Sequence, residues 1–138
     1  MTTEFGKYVL KACIDKNTTA KEIAEAIGVS AMEISFIIRG KRQSGFIEAE
    51  IKRYLESLPD ACKMSDFEWN IRYKLINNDI KLSELAKILG ISRAAIYYAV
   101  AGKSGYDNIR KKIVAYLDEM WYNIIVAKEF FFWFKSSW

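Results

Sequence analysis

Histidine is absent from this sequence. That removes the commonest general base and the commonest metal ligand. Two cysteines, Cys13 and Cys62, cannot make a zinc site alone, and no glycine-rich phosphate loop or nucleophile–base pair at a recognisable spacing is present. No catalytic residue, metal or cofactor is expected, and the sequence reads as that of a non-enzyme. Proline is almost as scarce: Pro59 is the only one, and it sits where a helix must stop. Cys13 falls on the apolar face of a helix, as a small core residue would, and Cys62 falls in a polar stretch as a free thiol. A disulfide between them is not expected, and no basic, cleavable leader opens the chain. A reducing, cytoplasmic location fits this usage.

What is present is a stretch that occurs twice. Thr19 to Lys41 reads TAKEIAEAIGVSAMEISFIIRGK, and Lys81 to Lys103 reads KLSELAKILGISRAAIYYAVAGK. A shift of 62 residues superimposes them without a gap, and the match continues outward from Phe5/Phe67 to Leu55/Leu117. Each copy predicts a short helix, a turn with glycine at its corner and a second helix. Ala24 and Ala86 stand where two helices cross closely. Gly28 and Gly90 end the first helix, where a positive φ costs glycine nothing. Ser30 and Ser92 stand at N-cap positions, with Glu33 completing a capping box in the first copy. Ile34 and Ile96 turn into the core. Both stretches are helix-turn-helix units, and the chain is a tandem duplication of about sixty residues per copy, near the lower size limit for a self-sufficient core.

The expected architecture is all-α. Domain 1 covers residues 1–58, a linker 59–65, domain 2 residues 66–118, and an aromatic helix 119–138. In domain 1 the fourth helix is expected to bury Phe46, Ile47, Ile51, Tyr54 and Leu55. Thr19 with Glu22 and Ser65 with Glu68 are further capping-box signatures. From Asp107 to Phe134 neither glycine nor proline interrupts the pattern. The terminal run from Trp121 to Phe134 is densely aromatic and must be covered. It could dock on its own chain, pair with a second copy, lie on a membrane surface, or be foreign to the domain. The favoured reading is a homodimer through Trp121, Ile124, Ile125, Phe131 and Phe134. A membrane span is disfavoured because Asn123, Lys128 and Glu129 interrupt a run already too short.

Charge is unevenly spread. Residues 1–60 hold nine basic and nine acidic side chains, and residues 61–138 hold twelve and eight, so the whole net +4 lies in the second half. This is a weak polyanion-binding footprint.

The residues Phe5-Gly6, Ile23-Ala24, Gly28-Val29-Ser30, Ile34-Ser35 and Arg39-Gly40-Lys41-Arg42 resemble the phage repressor/Cro-like (Xre) helix-turn-helix family. So do Leu85-Ala86, Gly90-Ile91-Ser92-Arg93, Ile96 and Gly102-Lys103. The resemblance covers residues 4–58 and 66–118. It implies two lambda-repressor-like bundles whose third helix enters the major groove of double-stranded DNA. Many family members begin the second helix with a phosphate-holding glutamine; Ala20 and Leu82 stand there instead.

In such a unit the N-terminal part of the second helix reaches base edges and its flanks touch phosphates. Copy one then offers Ala31, Met32 and Ser35 to bases, a poor vocabulary, and Arg39, Lys41, Arg42 and Gln43 to phosphates. Copy two is better equipped. Arg93 follows the cap and could hold guanine bidentately, beside Ala94, Tyr97 and Tyr98. Lys103, Ser104, Arg110 and Lys111 supply phosphate partners. The leading expectation is a sequence-specific, repressor-like regulator of the phage or mobile-element kind. The rivals are a protein-interaction module or inhibitor on the same scaffold, with a protein partner, and a DNA-packaging or recombination accessory factor.

Overall fold

A computed structural model describes residues 2–120 of the chain. Among these the secondary structure is helical throughout: α1 (Glu4–Lys16), α2 (Ala20–Ile27), α3 (Ala31–Ile38), α4 (Gly45–Ser57), α5 (Asp66–Asn77), α6 (Leu82–Leu89) and α7 (Arg93–Val100). An eighth helix, α8, occupies 107–120. The all-α expectation holds for these residues, and no helix among them is long and apolar enough to cross a membrane.

The local geometry repeats with the sequence. α2 and α6, and α3 and α7, start and stop 62 residues apart at both ends. The non-glycine residues with positive φ are Asn17 at 53° and Asp79 at 55°, which are equivalent positions on that shift. The α2–α3 turn carries Gly28 at φ 77°, the α6–α7 turn Gly90 at 67°, a region that L side chains disfavour. In the first turn the Gly28 and Val29 amides both donate to Ala24 O, at 2.9 and 3.0 Å; in the second the Ile91 amide donates to Ala86 O at 2.9 Å. These bonds satisfy carbonyls that the helix end would otherwise orphan. Ser30 Oγ then accepts from Glu33 N at 3.1 Å, and Ser92 Oγ from Ala95 N at 3.2 Å.

The chain divides into two compact units, the first ending at Lys81 and the second beginning at Leu82. In the first, Val9 and Ala12 of α1, Ile23 and Ala24 of α2, Ile34, Ile37 and Ile38 of α3, and Ile51 and Leu55 of α4 form one buried cluster. Phe5, Cys13, Ile47 and Tyr54 pack against it, half-buried. Gly6 lets α1 approach the end of α3: a Cβ there would strike the Ile38 carbonyl, which also accepts from Thr3 N at 3.2 Å. Burial lifts the Cys13 thiol to about 11, with Glu22 adding to the shift. Phe46 departs from expectation, standing 77% exposed. The inward stripe of α4 runs through Ile47, Ile51, Tyr54 and Leu55, whereas Phe46 shares its helix face with Glu50 and Arg53, at the i+4 and i+7 positions.

The division between units falls after α5 rather than within 59–65, because α5 is fastened to α1. Asp15 accepts from Trp69 Nε1 at 2.8 Å and from the Tyr73 hydroxyl. The Trp69 and Tyr73 rings stack with centroids 4.0 Å apart, and Lys11 Nζ lies 5.5 Å from the Tyr73 centroid. At the far end Lys7 Nζ donates to Asn77 O at 3.3 Å. The contacts run antiparallel, pairing position 7 with 77, 11 with 73 and 15 with 69. On the repeat register, 69 is the counterpart of 7, 73 of 11 and 77 of 15, so the duplicate helices meet about a local pseudo-dyad beside Lys11 and Tyr73. Burial first, and the Asp15 carboxylate second, hold the Tyr73 phenol above its ordinary range.

In the second unit Leu82, Leu85 and Ala86 of α6, Ile96, Ala99 and Val100 of α7, and Ile113 and Leu117 of α8 are buried. The inward positions of α6 and α7 sit at the same places as those of α2 and α3. Each helix pair therefore packs inward through equivalent positions, and the outward face of α3 or α7 is what varies.

Candidate functional site

Ser30 ends the extended segment before α3 and starts the helix, so Ala31 and Met32 stand at its exposed N-terminal turn, Met32 at 65% exposure. Ser35 is half-buried on the same helix, while Ile34, Ile37 and Ile38 face the core. Arg39, Lys41, Arg42 and Gln43 are all exposed around the helix end. One of these charges is already engaged: Arg42 Nη1 donates to Glu33 Oε1 at 2.7 Å. The capping box expected at Ser30 is thus only half made, because the Glu33 carboxylate reaches forward to Arg42. Glu22 likewise accepts from the Thr18 hydroxyl at 2.7 Å. The first copy therefore shows a carboxylate and two small or apolar residues where its α3 faces outward.

The equivalent face of α7 is different in chemistry. Arg93 and Ala94 are exposed, and Tyr97 and Tyr98 are 44% and 40% exposed. Arg93 occupies the first helical position, directly after the Ser92 cap. A cation there opposes the helix dipole, which favours negative charge at an N-terminus. α1 to α6 each carry an acidic residue in the first turn, and α7 carries none. Ala95 stands in α7 where Glu33 stands in α3, so the first turn of α7 supplies no carboxylate to Arg93. This end of α7 combines an unfavourably placed guanidinium with the positive end of the helix dipole, an arrangement suited to an electronegative partner.

The turn after each helix holds a lysine. Lys103 Nζ lies over the Tyr98 ring, 4.1 Å from its centroid, and Lys41 Nζ lies 6.0 Å from the Phe36 centroid. Tyr98 leans on Tyr106 at 5.7 Å between centroids. Arg110, expected at phosphate, has its guanidinium turned onto the fold: Nη1 donates to Ala99 O at 3.2 Å and Lys103 O at 2.9 Å, and Nη2 pairs with Asp107. It braces the turn, leaving Ser104 and Lys111 exposed beside it. The structure thus brings Arg93, Ala94, Tyr97 and Tyr98 onto one helix face, with Lys103 at its far end.

Sequence reasoning overlooked two features. The aromatic–lysine pairs were legible as an aromatic five residues before each lysine. The Glu33–Arg42 pair is set by backbone geometry, nine residues apart, and had no local signal. Trp121, Ile124, Ile125, Phe131 and Phe134, expected at a dimer interface, lie outside the described residues. Among the described residues no group of three His, Cys, Asp or Glu side chains is placed to hold a metal ion. Comparison with protein-family models, with curated proteins and with solved structures gave no match.

Proposed function

We propose that the chain is a sequence-specific, double-stranded DNA-binding regulator built from two tandem helix-turn-helix bundles of the phage repressor/Cro-like kind. The observation that carries the reading is the exposed face of α7. A capped helix presents Arg93 from its first position, with no carboxylate in its first turn, beside Tyr97 and ahead of Lys103. A guanidinium so placed matches the O6 and N7 acceptors of guanine, and lysines at the helix exit match phosphates. The repeat of helix bounds, caps and positive-φ positions supports reading α2–α3 as a second unit of the same kind. On this reading the second copy is the main reader.

Selection of bound sequences from a random duplex pool at near-physiological salt tests the proposal. A recovered motif with two half-sites supports a regulator, and its symmetry gives the relation between the copies. Binding without a motif would sink sequence specificity and favour an accessory role. A second reading, a protein-interaction module, is favoured by one observation: Met32 and Phe46 in the first copy are 65% and 77% exposed. No DNA binding at any salt concentration would overturn the proposal in favour of that module, since phosphate contacts must weaken steeply with salt and apolar ones need not.

A further inference from the structure

The exits of α3 and α7 are built alike down to single hydrogen bonds. At α3, Lys41 N donates to Phe36 O at 2.8 Å and Gly40 N to Ile37 O at 3.1 Å. At α7, Lys103 N donates to Tyr98 O at 3.0 Å and Gly102 N to Ala99 O at 3.2 Å. With Gly40 at φ 73° and Gly102 at 85°, both are Schellman motifs, in which the residue after the left-handed glycine is folded back over the third residue from the helix end. That pair of side chains is ordinarily hydrophobic. Here both copies place a lysine over an aromatic ring. Lys41 and Lys103 are exposed, and neither has an ion-pair partner among the described residues.

We infer that Phe36 and Tyr98 are positioning residues for two equivalent phosphodiester clamps, holding Lys41 and Lys103 where a DNA backbone passes. The inference rests on the DNA-binding reading proposed above. A free lysine loses much rotamer entropy when it binds. One already lying against a ring has lost part of it, while the ring's attraction for the ammonium leaves its N–H groups free on the outer side. The clamp differs from a phosphate contact at the start of the second helix, where Ala20 and Leu82 offer no side-chain donor. It also gives the two copies a shared backbone contact although their outward helix faces differ. In the second copy Arg110 strengthens it by bonding both Ala99 O and Lys103 O, fixing the turn itself.

The test is binding of the full chain to a random-sequence 30-base-pair duplex across a salt series, for the wild type, Tyr98→Leu, Tyr98→Phe, Lys103→Ala and the Phe36→Leu/Tyr98→Leu pair. Lys103→Ala lowers the salt slope by about one, as loss of one phosphate contact requires. Tyr98→Leu keeps the slope but weakens binding about three- to five-fold, the worth of an exposed cation–π contact, and Tyr98→Phe restores it. The double variant, with Phe36→Leu measured alone beside it, loses roughly the product of the two single effects. A structural role alone would lower the melting temperature, which leucine at this half-exposed site leaves near wild type. The ring-current shift of the Lys103 ε-methylene protons, present in the wild type and Tyr98→Phe and lost in Tyr98→Leu, checks the geometry independently. Salt-dependent wild-type binding that Tyr98→Leu leaves unchanged, or that Tyr98→Phe loses equally, overturns the clamp alone. Absence of salt-dependent binding by the wild type overturns both the clamp and the DNA reading.

Discussion

Replacing Arg93 with glutamate should stabilise the fold while it abolishes the proposed function. Arg93 is the first residue of α7, and the helix has no acidic side chain in its first turn. A charge at a surface helix end is worth about 0.3–1 kcal/mol, with the sign set by the dipole. Arg93→Glu removes an unfavourable cation and adds a favourable anion, so the gain is about 0.6–2 kcal/mol. For a chain of this size that raises the melting temperature by about 2–8 °C. The rise should shrink in high salt, which screens the dipole. Binding to a selected duplex should fall in the opposite direction. Loss of one bidentate guanine contact costs about 1–3 kcal/mol, and the new carboxylate repels phosphate, so affinity drops by roughly a hundredfold or more. Thermal denaturation followed by circular dichroism, at low and high salt, and fluorescence anisotropy with the duplex measure the two effects separately. A lower melting temperature would refute the dipole argument, and an unchanged affinity would refute the reading role of Arg93.

Asp15→Asn should lower stability by about 1–3 kcal/mol in urea denaturation, because both donors that Asp15 serves on α5 lose a charged acceptor and one is left facing an amide NH2, itself a donor. The same variant should bring the Tyr73 phenol back toward its ordinary value in an alkaline absorbance titration. Gly6→Ala should cost about 3 kcal/mol, the top of the overpacking range, since its Cβ meets the Ile38 backbone rather than a side chain that can move. The two thiols should separate kinetically: exposed Cys62 reacts with a disulfide reagent at pH 8, while Cys13, raised to about 11, is protected until the fold opens. Because the folded Cys13 value lies above the unfolded one, its contribution to stability is full below about pH 9 and is lost as pH rises from there through 11. A Cys13→Ala chain whose stability falls as steeply over that window would contradict this.

The helices were legible because glycine, serine and the isoleucine and leucine stripes speak locally. Ser30 and Ser92 cap the helices they were expected to cap. Local rules failed where a partner far along the chain competes. The Glu33 carboxylate prefers Arg42 to the backbone of its own cap, because a charged donor outbids a neutral amide. Phe46 was assigned inward on hydrophobicity, yet its place on the helix wheel sends it out with Glu50 and Arg53. The fastening of α5 onto α1 had no signal at all in either helix. Asp15, Trp69 and Tyr73 are each unremarkable alone and become a unit only when the chain returns past residue 60. The exposed face of α7 that carries Arg93, Ala94, Tyr97 and Tyr98 was legible from spacing, but Arg110 changed its role. Its position near other basic residues suggested phosphate, and only the carbonyls of Ala99 and Lys103 revealed a bracing function.

The two copies have kept what shapes the backbone and changed what faces outward. Ala24/Ala86, Gly28/Gly90, Ser30/Ser92, Ile34/Ile96, Gly40/Gly102 and Lys41/Lys103 are identical, whereas Ala31, Met32, Glu33, Ser35 and Arg42 face Arg93, Ala94, Ala95, Tyr97 and Ser104 across the repeat. On the proposed reading, the same scaffold cannot then select the same bases twice. The selected site should hold one half with a guanine under Arg93 and one weaker half where apolar contact favours thymine. Grafting the second surface onto the first tests this. Ala31→Arg and Ser35→Tyr install the reading residues, and Glu33→Ala removes the carboxylate that would pair with the new arginine and frees Arg42 as well. Each position is exposed or half-exposed, so the fold should survive, with a loss of about 0.6–2 kcal/mol from the cation added and the anion removed at the start of α3. Selection with the triple variant should then return two like half-sites, each with the guanine. If the weaker half is unchanged, α3 does not lie at DNA, and the exposed Met32 and Phe46 would have to serve a protein partner instead.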